Sequence, residues 1–347
     1  MSIANRPRPE HVLITGGAGY IGSVLVGELL SRGHWVTVVD ALFFGGESLV
    51  GWLPSPRFLF VRGDVSRPGV VDQAWQEAAR RGAPPVEAVV HLAAVAGYPA
   101  AEAAGREIVW RHNVDAVRRV FETTEALGAQ RFVLASTSSV YGLTPPGVEV
   151  GEEGPLNPLS LYAESKLEAE RVLQEECRGA SASPIVFRFA TAFGISPRMR
   201  FDLLLNQLVR QAFDNAELEI FCGEHHRTFV HVGDIAQGII AGLSSPDPSV
   251  RGQVFNLGTE AATCTKNQLV DLILAALPET RVLRLGRGAG GDERDLRVSF
   301  TRIREVLGFR PRVGIPEGIA ELLGLLRAGL IRDPGSDRYR NAAPLAA

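Results

Sequence analysis

Through its first 190 residues the chain alternates two hydrophobic patterns. Short apolar runs over His11–Thr15, Trp35–Val39, Phe58–Val61, Val86–Leu92, Arg131–Ala135 and Ile185–Phe189 read as strands buried on both faces. Between most of them, apolar residues recur at helical spacing. Ile21, Val24, Leu25 and Leu29 form one such stripe, and Gly33 closes that helix. Alternation of this kind predicts an α/β fold: a doubly wound parallel sheet with helices on both faces. After Phe189 the pattern turns irregular. Helices are predicted over Phe201–Phe213, Gln268–Leu277 and Pro316–Ala328, separated by shorter strands and Gly/Pro turns. We therefore expect a first domain over 1–190, to which 229–258 returns, and a smaller α/β domain over 191–330. The polar, Gly/Pro/Ala-rich end, 331–347, is expected to fray.

Composition narrows the class. Of 347 residues, 46% are hydrophobic and 22% charged, the balance of a chain with a sizeable core. Acids outnumber bases by 39 to 36, whereas a nucleic-acid binder ordinarily shows a basic excess. Cys177, Cys222 and Cys264 make no disulfide framework, and no two stand at metal-ligand spacing. A reduced, cytoplasmic setting without a metal is expected. No apolar run approaches the roughly 20 residues that span a bilayer. The opening MSIANRPRPE has no apolar core and does not read as a signal peptide.

The first strand runs into Thr15-Gly-Gly-Ala-Gly-Tyr-Ile-Gly22, with Gly16, Gly19 and Gly22 three apart. A strand must turn sharply here into a helix whose N-terminal N–H groups face a phosphate, and a side chain would block the anion. Asp40 ends the second strand. A carboxylate there accepts hydrogen bonds from ribose hydroxyls and repels a 2′-phosphate, which favours NAD over NADP. The plain alternative is a glycine turn with no ligand; strand, helix and acid together weigh against it. Asp64-Val65 and His91-Leu92-Ala93-Ala94 follow the third and fourth strands, on the edge where open parallel sheets bind ligands.

Ser136-Thr137-Ser138-Ser139-Val140-Tyr141-Gly142 follows the fifth strand directly, and Tyr162 and Lys166 share one face of the next predicted helix. A free phenol titrates near 10, so to act as a base at neutral pH it must be lowered by about 3 units, roughly 4 kcal/mol. One cation at about 6 Å and an effective dielectric near 20 supplies roughly 3 kcal/mol. A nicotinamide ring adds more positive charge. The alternative is a surface tyrosine with a lysine one turn on. Of the 36 basic residues, only Lys166 and Lys266 are not arginine. Arginine cannot release a proton to a relay, so the choice of lysine here is informative.

From about residue 11 to about 315 the chain resembles the extended short-chain dehydrogenases/reductases, specifically the nucleotide-sugar epimerase/dehydratase group and its UDP-glucose 4-epimerase-like members. TGGAGYIG, Asp40, Asp64-Val65, HLAA, Asn113-Val114, STSSVYG and YAESK carry the likeness, followed by Arg227–Asp234 and Val254–Gly258. The resemblance implies a Rossmann domain holding NAD through Gly16, Gly19, Tyr20, Ile21, Gly22, Asp40, Asp64, Val65, Leu92, Ala93, Ala94, Asn113, Ser136, Tyr162 and Lys166. It implies Thr137 as the hydroxyl that orients substrate, Tyr162 as the base and Lys166 as its partner. Arg227 matches the arginine that grips the nucleotide diphosphate. The family's long helices, here Ile108–Ala126 and the Tyr162 helix, imply a homodimer built on a four-helix bundle.

Departures from the family pattern bear on the reaction. Dehydratases of this group carry an Asp-Glu pair where this chain has Ser138 and Ser139, and the UDP-glucuronate decarboxylases usually have Glu at the second position. What remains needs a base, a hydroxyl and a hydride acceptor. An NAD-dependent epimerase of a nucleotide-activated sugar, acting at C4 through a keto-sugar, is expected. The alternatives are a reductase or dehydrogenase of a keto-sugar or small polyol, and a non-catalytic NAD sensor. Thr191 replaces an Asn and Ala96 a Lys of the galactose epimerases. Arg198 and Arg200 near the pocket bind a substrate phosphate or carboxylate, or else pair with Asp202. Arg294 is the candidate for a second diphosphate arginine, with a solvated charged face as the alternative.

Overall fold

The computed structural model describes residues 10–144, 147–285 and 295–341. Six strands form in the predicted places: β1 (His11–Thr15), β2 (Trp35–Asp40), β3 (Phe58–Arg62), β4 (Ala88–His91), β5 (Arg131–Thr137) and β6 (Ser183–Phe189). The helices of this half are α1 (Tyr20–Ser31), α2 (Val70–Arg80), α3 (Tyr98–Ala104), α4 (Arg106–Trp110), α5 (Ala116–Ala126) and α6 (Leu161–Glu176). The rest of the chain adds β7 (Thr191–Phe193), α7 (Leu204–Asn215), β8 (Glu217–Phe221), β9 (His226–His231), α8 (Val232–Leu243), α9 (Asp247–Val250) and β10 (Gln253–Leu257). It continues through β11 (Thr263–Thr265), α10 (Lys266–Ala276), β12 (Arg281–Leu285), α11 (Thr301–Leu307) and α12 (Ile315–Arg327).

Seven parallel strands make the main sheet, in the order β10-β6-β5-β4-β1-β2-β3. Its strands are mostly apolar because both faces are covered. Val12, Ile14, Val36 and Val38 pack with Leu25 of α1 and Ile235 and Ile239 of α8. Their neighbours Leu13, Val39, Val89 and Phe132 face the other way, onto Ala74 of α2, Phe121 of α5 and Leu173 of α6. The period-two alternation is therefore real but hidden from a polarity pattern. α8 packs on the main sheet and β10 lies at its edge beside β6, so the chain returns to the first domain after β9. A separate core of Phe193, Leu205, Leu218, Phe229, Leu269 and Leu322 holds α7, α10 and α12 around β8 and β9.

Two expectations change. The helix predicted over 108–126 is broken by a π-helical turn, Arg111–Asp115, between α4 and α5. That turn buries His112, Asn113 and Val114. The chain end does not fray through 341. Tyr339 packs edge-on against Phe201 at 5.9 Å, and its carbonyl accepts from the Phe201 N–H at 2.9 Å. An aromatic anchor among polar residues outweighed their composition.

Candidate active site

The strand order reverses between β1 and β4, and the loops leaving these two strands part to open a cavity of about 320 Å³. Gly16 leaves β1 at φ +75°, and a Cβ on it would stand 2.6 Å from the Ala93 nitrogen. A Cβ on Gly22 would stand 2.3 Å from the Gly16 oxygen. These contacts let α1 and the loop after β4 approach closely enough to form a cradle. No side chain caps α1, and Gly19, Tyr20, Ile21 and Gly22 line the cavity, so the helix presents its N-terminal N–H groups there. The Tyr20 phenol instead donates to the Gly194 carbonyl at 2.7 Å, and burial pushes its pKa up.

Asp40 and Asp64 stand at the ends of β2 and β3 on the same cavity wall. Asp40 accepts from the Ala18 and Leu42 N–H groups at 2.9 and 2.8 Å, and burial raises its pKa. Asp64 accepts from the Ser66 N–H at 2.9 Å and lies 3.5 Å from His112 Nε2. His112 itself lines the cavity, placed there by the π turn. Val65, Leu92, Ala93 and Ala94 complete this wall.

At the other end, Ser136, Thr137, Ser138, Ser139, Tyr162, Lys166 and Thr191 line the cavity together. Thr137 Oγ1 accepts from the Ser139 N–H and donates to Ser139 Oγ, both at 3.1 Å. Lys166 donates from Nζ to the Ala135 carbonyl at 2.9 Å. Burial pulls its amine down to about 8, and the Glu170 carboxylate one turn on opposes that shift. Glu170 is itself buried. It accepts from Ser136 Oγ and takes a fork from Arg188, with Nη2 to Oε2 at 2.7 Å. Arg188 also donates to Tyr141 OH and the Glu152 carbonyl. Behind Lys166, burial and the lysine charge hold His91 down to about 3, so its ring is neutral and bonded to Thr15 Oγ1 at 2.8 Å.

Some predicted residues lie elsewhere. Asn113 is fully buried and outside the cavity wall. Its side chain accepts from the Val95 N–H and donates to the Val95 carbonyl and Ser165 Oγ, joining the loop after β4 to α6. Arg227 is buried on β9, its Nη1 donating to the His226 carbonyl at 2.8 Å, and it does not line the described cavity. Arg200 does line it, and it forks onto Asp202 at 2.9 and 2.6 Å. Arg198 lines it at the Asp40 end, stacked 4.7 Å over the Phe44 ring. Arg294 lies outside the described residues. Sequence reasoning missed His112, the Glu170–Arg188 pair and Asn341. Of these, Glu170 alone carried a local signal, its spacing of four from Lys166.

The glycine cradle, the uncapped helix and the carboxylate at the end of β2 define a Rossmann-type dinucleotide enzyme. The chain belongs to the NAD-dependent epimerase/dehydratase family, whose model matches residues 12–258. It is 28% identical to the uncharacterised UDP-glucose epimerase YtcB of Bacillus subtilis over 325 residues, 91% of this chain and 97% of that one. It is 27% identical over 330 residues to UDP-glucuronic acid decarboxylase 1 of Arabidopsis thaliana, covering 93% of this chain and 71% of the relative. Among solved structures, MoeE5 in complex with UDP-glucuronic acid and NAD superposes with a TM-score of 0.74 at 30% identity, over 92% of this chain and all of that one. The cofactor is NAD. The residues fit it: Arg198 leaves Nε and Nη1 buried without an acceptor beside Asp40, as an anion-binding wall would. Among the described residues no group of three or more His, Cys, Asp or Glu side chains is arranged to hold a metal ion, and no helix is long and apolar enough to cross a membrane.

Proposed function

We propose that this protein is a C4 epimerase of a nucleotide-activated sugar. Thr137 orients the C4 hydroxyl, and Tyr162, as phenolate, takes its proton. NAD would be held by the glycine turn, the N-terminus of α1 and Asp40, and when bound it would supply a reversible hydride acceptor for that carbon. Tyr162 then gives its proton back to the new hydroxyl. Lys166 stabilises the phenolate as a fixed cation one helical turn away. The sugar nucleotide lies between the carboxyl edge of the main sheet and the elements after Thr191.

One observation carries this choice within the family. Among the described residues that line the cavity, the only carboxylates are Asp40 and Asp64, both on the dinucleotide wall. Ser138 and Ser139 follow Thr137, and a serine hydroxyl is too weak an acid and base to expel a sugar hydroxyl at neutral pH. Epimerisation needs no further acid.

The test is direct. Protein and NAD are incubated with UDP-glucose, UDP-galactose, UDP-glucuronic acid and dTDP-glucose. Products are separated while nicotinamide absorbance is followed. The expected result is inversion at C4 of at least one sugar with no net NADH, abolished in Tyr162→Phe while NAD binding persists. Steady NADH production or consumption would instead identify a dehydrogenase or reductase using the same three residues, and a keto-deoxy product a dehydratase. We also propose that α5 and α6 pair across a two-fold axis, so gel filtration should report a dimer at micromolar concentration.

A further inference from the structure

Arg198 lines the cavity and is 7% exposed, and two of its guanidinium nitrogens, Nε and Nη1, are buried without an acceptor. A buried guanidinium in this state calls for an anion from outside the chain. Its surroundings say which one. Two residues earlier, Ser196 Oγ donates to the Tyr20 carbonyl at 2.7 Å and meets Ser23 Oγ at 3.0 Å, fastening this segment to the first turn of α1. Phe44, just past β2, lies under the guanidinium, and Asp40 is close enough to interact with it electrostatically. The guanidinium thus sits near Asp40, on a segment fastened to the uncapped end of α1.

The remaining donor of Arg198 is held by the chain end. Nη2 donates to the Arg340 carbonyl at 3.1 Å. Beyond α12, residues 333–341 return to the cavity, where Asn341 joins its lining. Arg338 pairs with Glu47 at 3.4 Å in the loop after β2. The Asn341 N–H donates to Asp202 Oδ2 at 3.2 Å, and its Nδ2 donates to the Ala96 carbonyl at 3.3 Å, in the loop after β4. Asn341 lines the cavity and leaves Oδ1 buried without a donor. One short segment therefore ties together three loops that surround the dinucleotide.

We propose that residues 333–341 are a strap that completes the dinucleotide site, holding Arg198 against the NAD diphosphate and setting how slowly the cofactor leaves. Arg198 is then a cofactor residue, where the sequence pointed to the substrate. Retention of this kind suits an enzyme that must return the hydride it removed. The inference rests on NAD as cofactor and is independent of which sugar carbon is inverted.

The experiment measures NADH affinity and dissociation by nicotinamide fluorescence, without any sugar. It compares the full chain, a chain ending at Arg332, Arg198→Met, and the two changes combined. A lost charge-assisted contact predicts about a tenfold or greater rise in Kd for either single change. The combined change should add little to the larger single one, because the strap acts through Arg198. Full-length Arg338→Ala/Asn341→Ala keeps the Tyr339 anchor and should speed NADH release several-fold with an unchanged circular dichroism spectrum. A folded truncated chain with NADH affinity within twofold of the full chain overturns the strap. Should truncation unfold the protein, an unchanged release rate in the double variant does the same. Additive effects would show that Arg198 acts without the strap. Arg198→Met with NADH affinity within twofold of the full chain would overturn the assignment of Arg198 to the cofactor.

Discussion

Lys166→Met should make the protein less active and more stable. Lys166 is 3% exposed, and burial brings its amine from 10.5 to about 8 even with Glu170 beside it. That difference corresponds to about 3 kcal/mol by which folding disfavours the charged amine. Methionine fills nearly the same space without charge. It forfeits the hydrogen bond to the Ala135 carbonyl, about 1 kcal/mol. The variant should therefore gain about 2 kcal/mol at pH 7. The sign has a definite pH course. The folded-state pKa lies below the unfolded one, so the cost to the wild type is full below about pH 8. It fades as pH rises toward 10.5, where the amine is neutral in both states. Urea midpoints of dinucleotide-free protein at pH 7 and pH 10 measure this directly, and the gap should close on the alkaline side. Activity at pH 7 should fall at least about a hundredfold, the equivalent of the roughly 3 kcal/mol a nearby cation gives the phenolate. A variant less stable than wild type at pH 7, or a gap that does not change with pH, would refute the reasoning.

Glu170→Gln leaves Arg188 buried beside a neutral amide, so the melting temperature should drop by an amount equivalent to about 3–5 kcal/mol, seen by calorimetry. Gly22→Ala places a methyl group 2.3 Å from the Gly16 oxygen. The helix must shift off the cradle, and NADH titration should show binding weakened by about tenfold or more. Asp40→Asn removes the charge that repels a 2′-phosphate, so the ratio of NADPH to NADH affinity should rise about tenfold, read from paired fluorescence titrations.

The parts of the site legible in the sequence are those whose geometry is local. Gly16, Gly19 and Gly22 must turn one strand into one helix, and Tyr162 and Lys166 share a helical face wherever that helix is placed. The strands were legible because a sheet covered on both faces needs unbroken apolar runs, and Asp40 was legible because it ends one of them. These features pointed to the fold class, to the dinucleotide and to the residues that line the cavity at the Tyr162 end. Tertiary structure decided the allegiance of the polar side chains. Asn113 was a plausible ligand by position, but a π turn directs its amide to Val95 and Ser165. Arg200 found a carboxylate two residues away, whereas Arg198 was left with two buried nitrogens without an acceptor. The end of the chain read as frayed because its partners Phe201, Asp202 and Ala96 lie more than a hundred residues away. Hydrophobic periodicity repeats over a few residues and can be read in order along the chain. A hydrogen bond of a buried polar group depends on which distant segment arrives beside it, and only the folded chain brings the two together.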